Sequence, residues 1–123
     1  SRQEILDFLI KIRKKIKPTC VFTHASDLHQ DHQVCHDETM RAFRNQTIIE
    51  YFVQRSMYKS KPTLFAKLSQ KDLDAKIHSL SCYKTFKSKQ FFLKDSIISM
   101  CKSQGVPLEI SISESFNPIW IIM

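Results

Sequence analysis

The 123 residues hold a single glycine, Gly105, and four cysteines with no CxxC pair among them. No apolar run approaches the roughly 18 residues a membrane-spanning helix needs, which excludes such a helix from the chain. Cys20, Cys35, Cys82 and Cys101 are widely spaced, and with no signal peptide they read as free thiols of a cytoplasmic protein. Low-complexity tracts, internal repeats and linkers are also lacking, so residues 1–123 read as one globular domain or a piece of one. The net charge of +7 would suit a nucleic-acid binder. The lysines and arginines are spread over the whole chain as solvated faces, however, and no stacking platform or recognition-helix motif accompanies them. Nucleic acid is therefore not the expected partner.

What is present is concentrated in Asp27 to His36, DLHQDHQVCH, with two acids and three histidines in ten residues. No other stretch is so dense in groups that bind a metal or move a proton. Its setting comes from its neighbours. Residues 2–16 place Ile5, Leu6, Leu9, Ile10, Ile12 and Ile16 largely at i, i+3, i+4 spacing, with acids early and basic residues late, which predicts an amphipathic helix ended by Pro18. Thr19 to His24 is short, β-branched and aromatic, and reads as a buried strand of a parallel unit. The loop Ala25–Gln30 and a helix over Asp31–Phe43 follow. Ligands of open α/β sheets bind where the carboxyl end of a strand runs into loop and helix, and the dense stretch occupies such a place.

Farther on, Ile48–Val53 and Thr63–Leu68 are strand candidates, with a polar, basic loop between them through Pro62. Ser69 and Asp72 form a variant capping box for a helix that carries Leu73, Ile77 and Leu80 inward. Phe91–Cys101 reads as another helix, closed by Gly105 as its C′ residue. The tail alternates around Leu108, Ile110 and Ile112, then turns apolar over Ile119–Met123, which suggests burial against a further segment or an oligomer interface.

Neutral imidazole is a good zinc ligand, and a neighbouring carboxylate can orient it or ligate directly. With a helix from about Asp31, His32 and His36 share a face. His36 alone reads as a surface or core residue; His24, at a strand end, either caps the loop or lines the site. Cys20 and Cys35 offer an alternative structural Cys/His site without the usual close partner.

The stretch VFTHASDLHQDHQVCHDETMRAFR resembles the second metal motif of the PIG-L/LmbE family of zinc-dependent N-deacetylases, a hydrophobic strand, then D-x-H-x-D-H, then a helix. The likeness continues through Lys76-Ile77, Cys82-Tyr83-Lys84, Gly105 and the small-Glu-small-Phe segment Ser113-Glu114-Ser115-Phe116. It implies a Rossmann-like three-layer α/β/α fold with a mainly parallel sheet, of which this chain would be the C-terminal part. It also implies Zn2+ held in part by His32, with His29 assisting the tetrahedral intermediate or leaving amine and Asp31 as its partner. Asp27 and His24 would shape the site. The implied substrate is an N-acetylated amino sugar or its conjugate, and the basic surface suits a phosphorylated, nucleotide-linked or lipid-linked one. Two departures stand out. The family's first motif, of HPDD type, does not occur in these residues, and Thr85-Phe86 stands where Ser-Gln is common. The resemblance is therefore open to two readings, a longer enzyme that supplies the rest of the site or a non-catalytic metal- or ligand-binding relative. The start at Ser1 fits the first.

Overall fold

The computed structural model describes residues 1–59, 61–86, 89 and 92–123. It is an α/β chain with four helices, α1 (Arg2–Ile16), α2 (Gln30–Ala42), α3 (Gln70–Ser81) and α4 (Lys94–Gly105), and four strands, β1 (Cys20–His24), β2 (Thr47–Tyr51), β3 (Leu64–Lys67) and β4 (Ser113–Trp120). Short 3-10 turns cover Gln54–Lys59, Lys84–Phe86 and Val106–Leu108. The sheet order is β1-β2-β4-β3. Among the described residues, no helix is long and apolar enough to cross a membrane.

The α/β class is the one the sequence pattern implies. The parallel pairing holds for β1 and β2, in register from Cys20 opposite Thr47 to His24 opposite Tyr51. Strand β4 enters antiparallel to β2, with Glu50 opposite Asn117 and Tyr51 opposite Phe116, so the sheet is mixed. Internal contacts group the chain into two compact units, Ser1–Leu64 with Phe116–Met123, and Phe65–Ser115.

In the first unit, α1 begins with a capping box between Ser1 and Glu4, and Arg13, Lys14 and Lys15 complement the dipole of its last turn. Helix α1 buries Leu6 against Ala42, Phe43 and Ile48, with Leu9, Ile10, Val21, Met40, Ile119 and Trp120 packed around them. A fully buried aliphatic side chain such as Ile48 contributes about 1.5–3 kcal/mol relative to an exposed one. The apolar tail divides here. Ile119 and Trp120 pack on this core, and the Trp120 indole N–H donates to the Gln46 carbonyl at 2.7 Å, while Ile121, Ile122 and Met123 are exposed. Charged groups fasten α1 to α2, as Arg2 meets Asp37 at 2.8 Å and the buried Glu38 at 3.3 Å, and Arg13 donates to the Ala42 carbonyl at 2.6 Å.

In the second unit, Ser69 and Asp72 cap α3 reciprocally, and Leu73, Ile97 and Cys101 form the core. The helix anticipated over Phe91–Cys101 runs instead from Lys94 to Gly105; Phe91 lies outside the described residues. Gly105 is the last residue of α4 with an ordinary φ of −85°, and not a left-handed C′ residue. Its reason is space: a Cβ there would run into the carbonyl oxygen of Ile110, whose N–H donates to the Gly105 carbonyl at 2.9 Å. Alanine within a helix is ordinarily more stable than glycine by about 0.5–1 kcal/mol. Here Gly105→Ala is expected to destabilise the chain by about 1–3 kcal/mol through overpacking, read from the denaturant midpoint; a gain would contradict the assignment.

Candidate functional site

The site lies in the first unit, where β1 ends. His24 is the last residue of the strand, and Ala25 extends the ladder by donating its N–H to the Tyr51 carbonyl at 2.8 Å. The chain then turns around Asp27. One carboxylate oxygen accepts the His29 N–H at 2.8 Å, the short-range bond of an Asx turn, and the other meets His32 Nδ1 at 2.7 Å. Gln33 adds a bond from its amide to the Asp27 carbonyl at 2.7 Å. The loop is thus closed onto the first turn of α2 by one side chain, which is only 2% exposed.

An ionised carboxylate can only accept, so His32 presents Nδ1–H to Asp27 and keeps the lone pair of Nε2. Burial pushes the Asp27 carboxyl up, but the His32 hydrogen bond, the His29 N–H and the charges of His32 and His24 together leave it below its ordinary value. The carboxylate therefore stays ionised and holds one tautomer of the ring, the arrangement commonly found behind a metal-binding histidine.

His29 is the N-cap of α2, its Nδ1 accepting the Asp31 N–H at 3.2 Å. A ring accepting at Nδ1 carries its proton on Nε2. The His29 and His32 rings stack, with centroids 4.6 Å apart and planes inclined by 23°. His24 also lies close to His32, with ring centroids 4.4 Å apart. Its Nδ1 is buried with no hydrogen-bond partner among the described residues, and burial pushes its pKa below the ordinary 6.5, so the ring is neutral near pH 7. Asp31 is exposed at the start of α2, where its charge suits the helix dipole. The structure thus brings His24, Asp27, His29 and His32 together and joins Asp31 to His29 through its backbone N–H. The carboxylate on His32 is that of Asp27.

His36, one turn beyond His32, points at a partner that sequence reasoning missed. Its Nε2 lies 3.1 Å from Glu50 on β2, whose second oxygen accepts the Asn117 amide N–H from β4 at 3.0 Å. The available signal was a lone acid in the apolar strand Ile48-Ile49-Glu50-Tyr51. Cys20 and Cys35 are free, exposed thiols. Among the described residues, no group of three or more histidines, cysteines or acids is placed to hold a metal ion. Among the described residues, His32 Nε2 could serve as one ligand of a metal, and these residues do not complete a coordination sphere.

Similar folds occur among solved structures. The conserved protein TT1542 from Thermus thermophilus superposes with a TM-score of 0.79 at 18% identity, over 98% of this chain and 60% of that one. The zinc-inhibited form of teicoplanin deacetylase Orf2 gives a TM-score of 0.79 at 16% identity, over 95% of this chain and 50% of that one. The A40926 pseudoaglycone deacetylase Dbv21 gives 0.72 at 14% identity, over 95% and 55%. The chain shares their fold. It spans half to three-fifths of their length. No family model and no curated protein sequence matches it.

Asp27→Ala leaves the His29 N–H and the His32 Nδ1–H, both in partly buried bonds, without their acceptor. It is expected to cost about 1–3 kcal/mol, measured by urea unfolding; an unchanged midpoint would show that the carboxylate does not hold this loop.

Proposed function

We propose that the chain supplies part of the active site of a zinc-dependent N-deacetylase of the PIG-L/LmbE family, acting on an N-acetylated amino sugar or its conjugate. The observation that carries this reading is the set Asp27, His32 and His29 at the carboxyl end of β1, on a fold shared with deacetylases. His32 Nε2 is the metal ligand of this chain, with Asp27 fixing its ring. Zinc bound there supplies a Lewis acid for the acetamide carbonyl and an activated water.

The remaining work falls to the chain's own residues. His29 presents its Nε2–H to the oxygen that gains charge as the amide carbonyl is attacked and keeps that proton, since its Nδ1 accepts the Asp31 N–H; the proton for the departing amine is the one the general base takes from the attacking water. Asp31 holds the tautomer that makes this possible, because its N–H occupies His29 Nδ1. His24 lines the site as a neutral, water-excluding ring. The products are acetate and a free amine.

The other metal ligands and the general base come, in this proposal, from polypeptide outside the 123 residues. The edge of β1 supports this. Bonds from Thr47 to the Thr19 carbonyl and from Ala25 to Tyr51 fix the parallel alternation, so Cys20, Phe22 and His24 direct their backbone groups away from β2. Strand β1 is the end strand of the sheet, with Phe22 56% exposed and no charged residue from Cys20 to Thr23. A strand added there in parallel would bring its own carboxyl end beside His32.

The test is made in a preparation that hydrolyses an N-acetyl amino sugar and contains this chain. His32→Ala is expected to abolish both zinc content and hydrolysis. His29→Ala is expected to keep zinc and lose about 10²–10³-fold in rate. Zinc and activity retained in His32→Ala would overturn the ligand assignment, and a wild-type chain that never accompanies such activity would favour the non-catalytic reading.

A further inference from the structure

Glu50 is a carboxylate that the proposed chemistry does not use. Its side chain is 15% exposed, on a strand between Ile49 and Tyr51, and it sits against a His36 ring that is 14% exposed. Burying a carboxylate is unfavourable unless each oxygen finds a donor, and pairs of this kind add geometric definition more readily than stability. Both oxygens of Glu50 are used, one on His36 Nε2 and one on Asn117 Nδ2.

The consequence follows from where His36 lies. Helix α2 carries His32 and His36 one turn apart, about 40° around the axis from each other. Among the described residues, the bond from His36 to Glu50 ties the middle of α2 to the sheet; other side-chain bonds of the helix run to α1 and to the Asp27 turn. Without that bond α2 keeps its ties to α1 and to the Asp27 turn but loses its side-chain hydrogen bond to the sheet, which leaves its middle free to roll. A roll of about 20° sweeps a ring lying about 7 Å from the axis through about 2 Å. That displacement is enough to break a hydrogen bond of the 2.7 Å length that joins His32 to Asp27.

We infer that Glu50 is a positioning residue: through His36 it fixes the rotation of α2, and so holds His32 against Asp27 with Nε2 free. Asn117 keeps the Glu50 carboxylate aimed at His36. The functional weight of this role rests on the proposal that His32 is the metal ligand; the geometric claim does not.

The experiment follows the His32 Nδ1–H by proton and long-range nitrogen NMR in the metal-free chain. Glu50→Ala is expected to speed solvent exchange of that proton about tenfold or more and to mix the His32 tautomers. Glu50→Gln restores the wild-type signal, because its amide oxygen still accepts from His36 while Asn117 turns its carboxamide. The control is Glu38→Gln, a buried residue of the same helix whose pairs with the exposed Arg2 of α1 and Arg41 it weakens, and it is expected to leave the His32 signal unchanged. Should Glu50→Ala fail to fold, Asn117→Ala is read in its place, with a smaller effect of the same sign. An unaltered His32 signal in a folded Glu50→Ala chain would overturn the inference, as would an equal loss in Glu38→Gln. A wild-type chain in which added zinc fails to reach His32 would sink the metal assignment and leave the positioning result standing.

Discussion

The hydrogen bond between the Asp27 carboxylate and His32 is the interaction on which the rest of the candidate site depends. A single buried carboxylate closes the turn after β1, fixes the start of α2 through the His29 N–H, and selects the tautomer of His32. Each oxygen has one donor, so the charge is compensated where water does not reach it. Move that side chain and three things change together: the path of the loop, the cap of the helix and the face of the imidazole offered to a ligand. His29 both caps α2 and stacks on His32.

The scaffold beneath the turn explains why the site stands there. The parallel pair β1–β2 ends with His24 opposite Tyr51, and the Ala25 N–H still bonds to Tyr51 as the chain leaves the sheet. Helix α2 is then held at several points, by the Asp27 turn at its start, by Glu50 at its middle and by Arg2 and Arg13 from α1. Fixed backbone at the end of a strand and a well-tethered helix are what allow His24 and His29 each to bring an imidazole to His32, at 4.4 Å and 4.6 Å between ring centroids.

Much of this was legible in the residues. Helix α1 follows from the spacing of Leu6, Leu9 and Ile10 and from the charges at its two ends, and the Ser69 to Asp72 capping box marks the start of α3. The dense stretch announced its place because strand, loop and helix signals are local. What stayed hidden is tertiary. The antiparallel entry of β4 depends on the path of the chain and not on the composition of the strand. Gly105 looked like a turn glycine, whereas the approach of the Ile110 carbonyl is its cause. Glu50 found its partners 14 residues before it and 67 residues after it, separations no periodicity reports. Resemblance to a family motif named His32 and His29, but the carboxylate behind His32 had to be seen in place, because Asp27 and Asp31 are both within reach of it along the sequence.

In the proposed function, the Asp27 carboxylate prepares His32 Nε2 for a metal. The most direct measurement follows the imidazole nitrogens of the chain by NMR as zinc is added. The His32 Nε2 resonance is expected to move with metal while the Nδ1–H bonded to Asp27 persists. A titration in which His32 stays unmoved while His36 or a cysteine responds would contradict it.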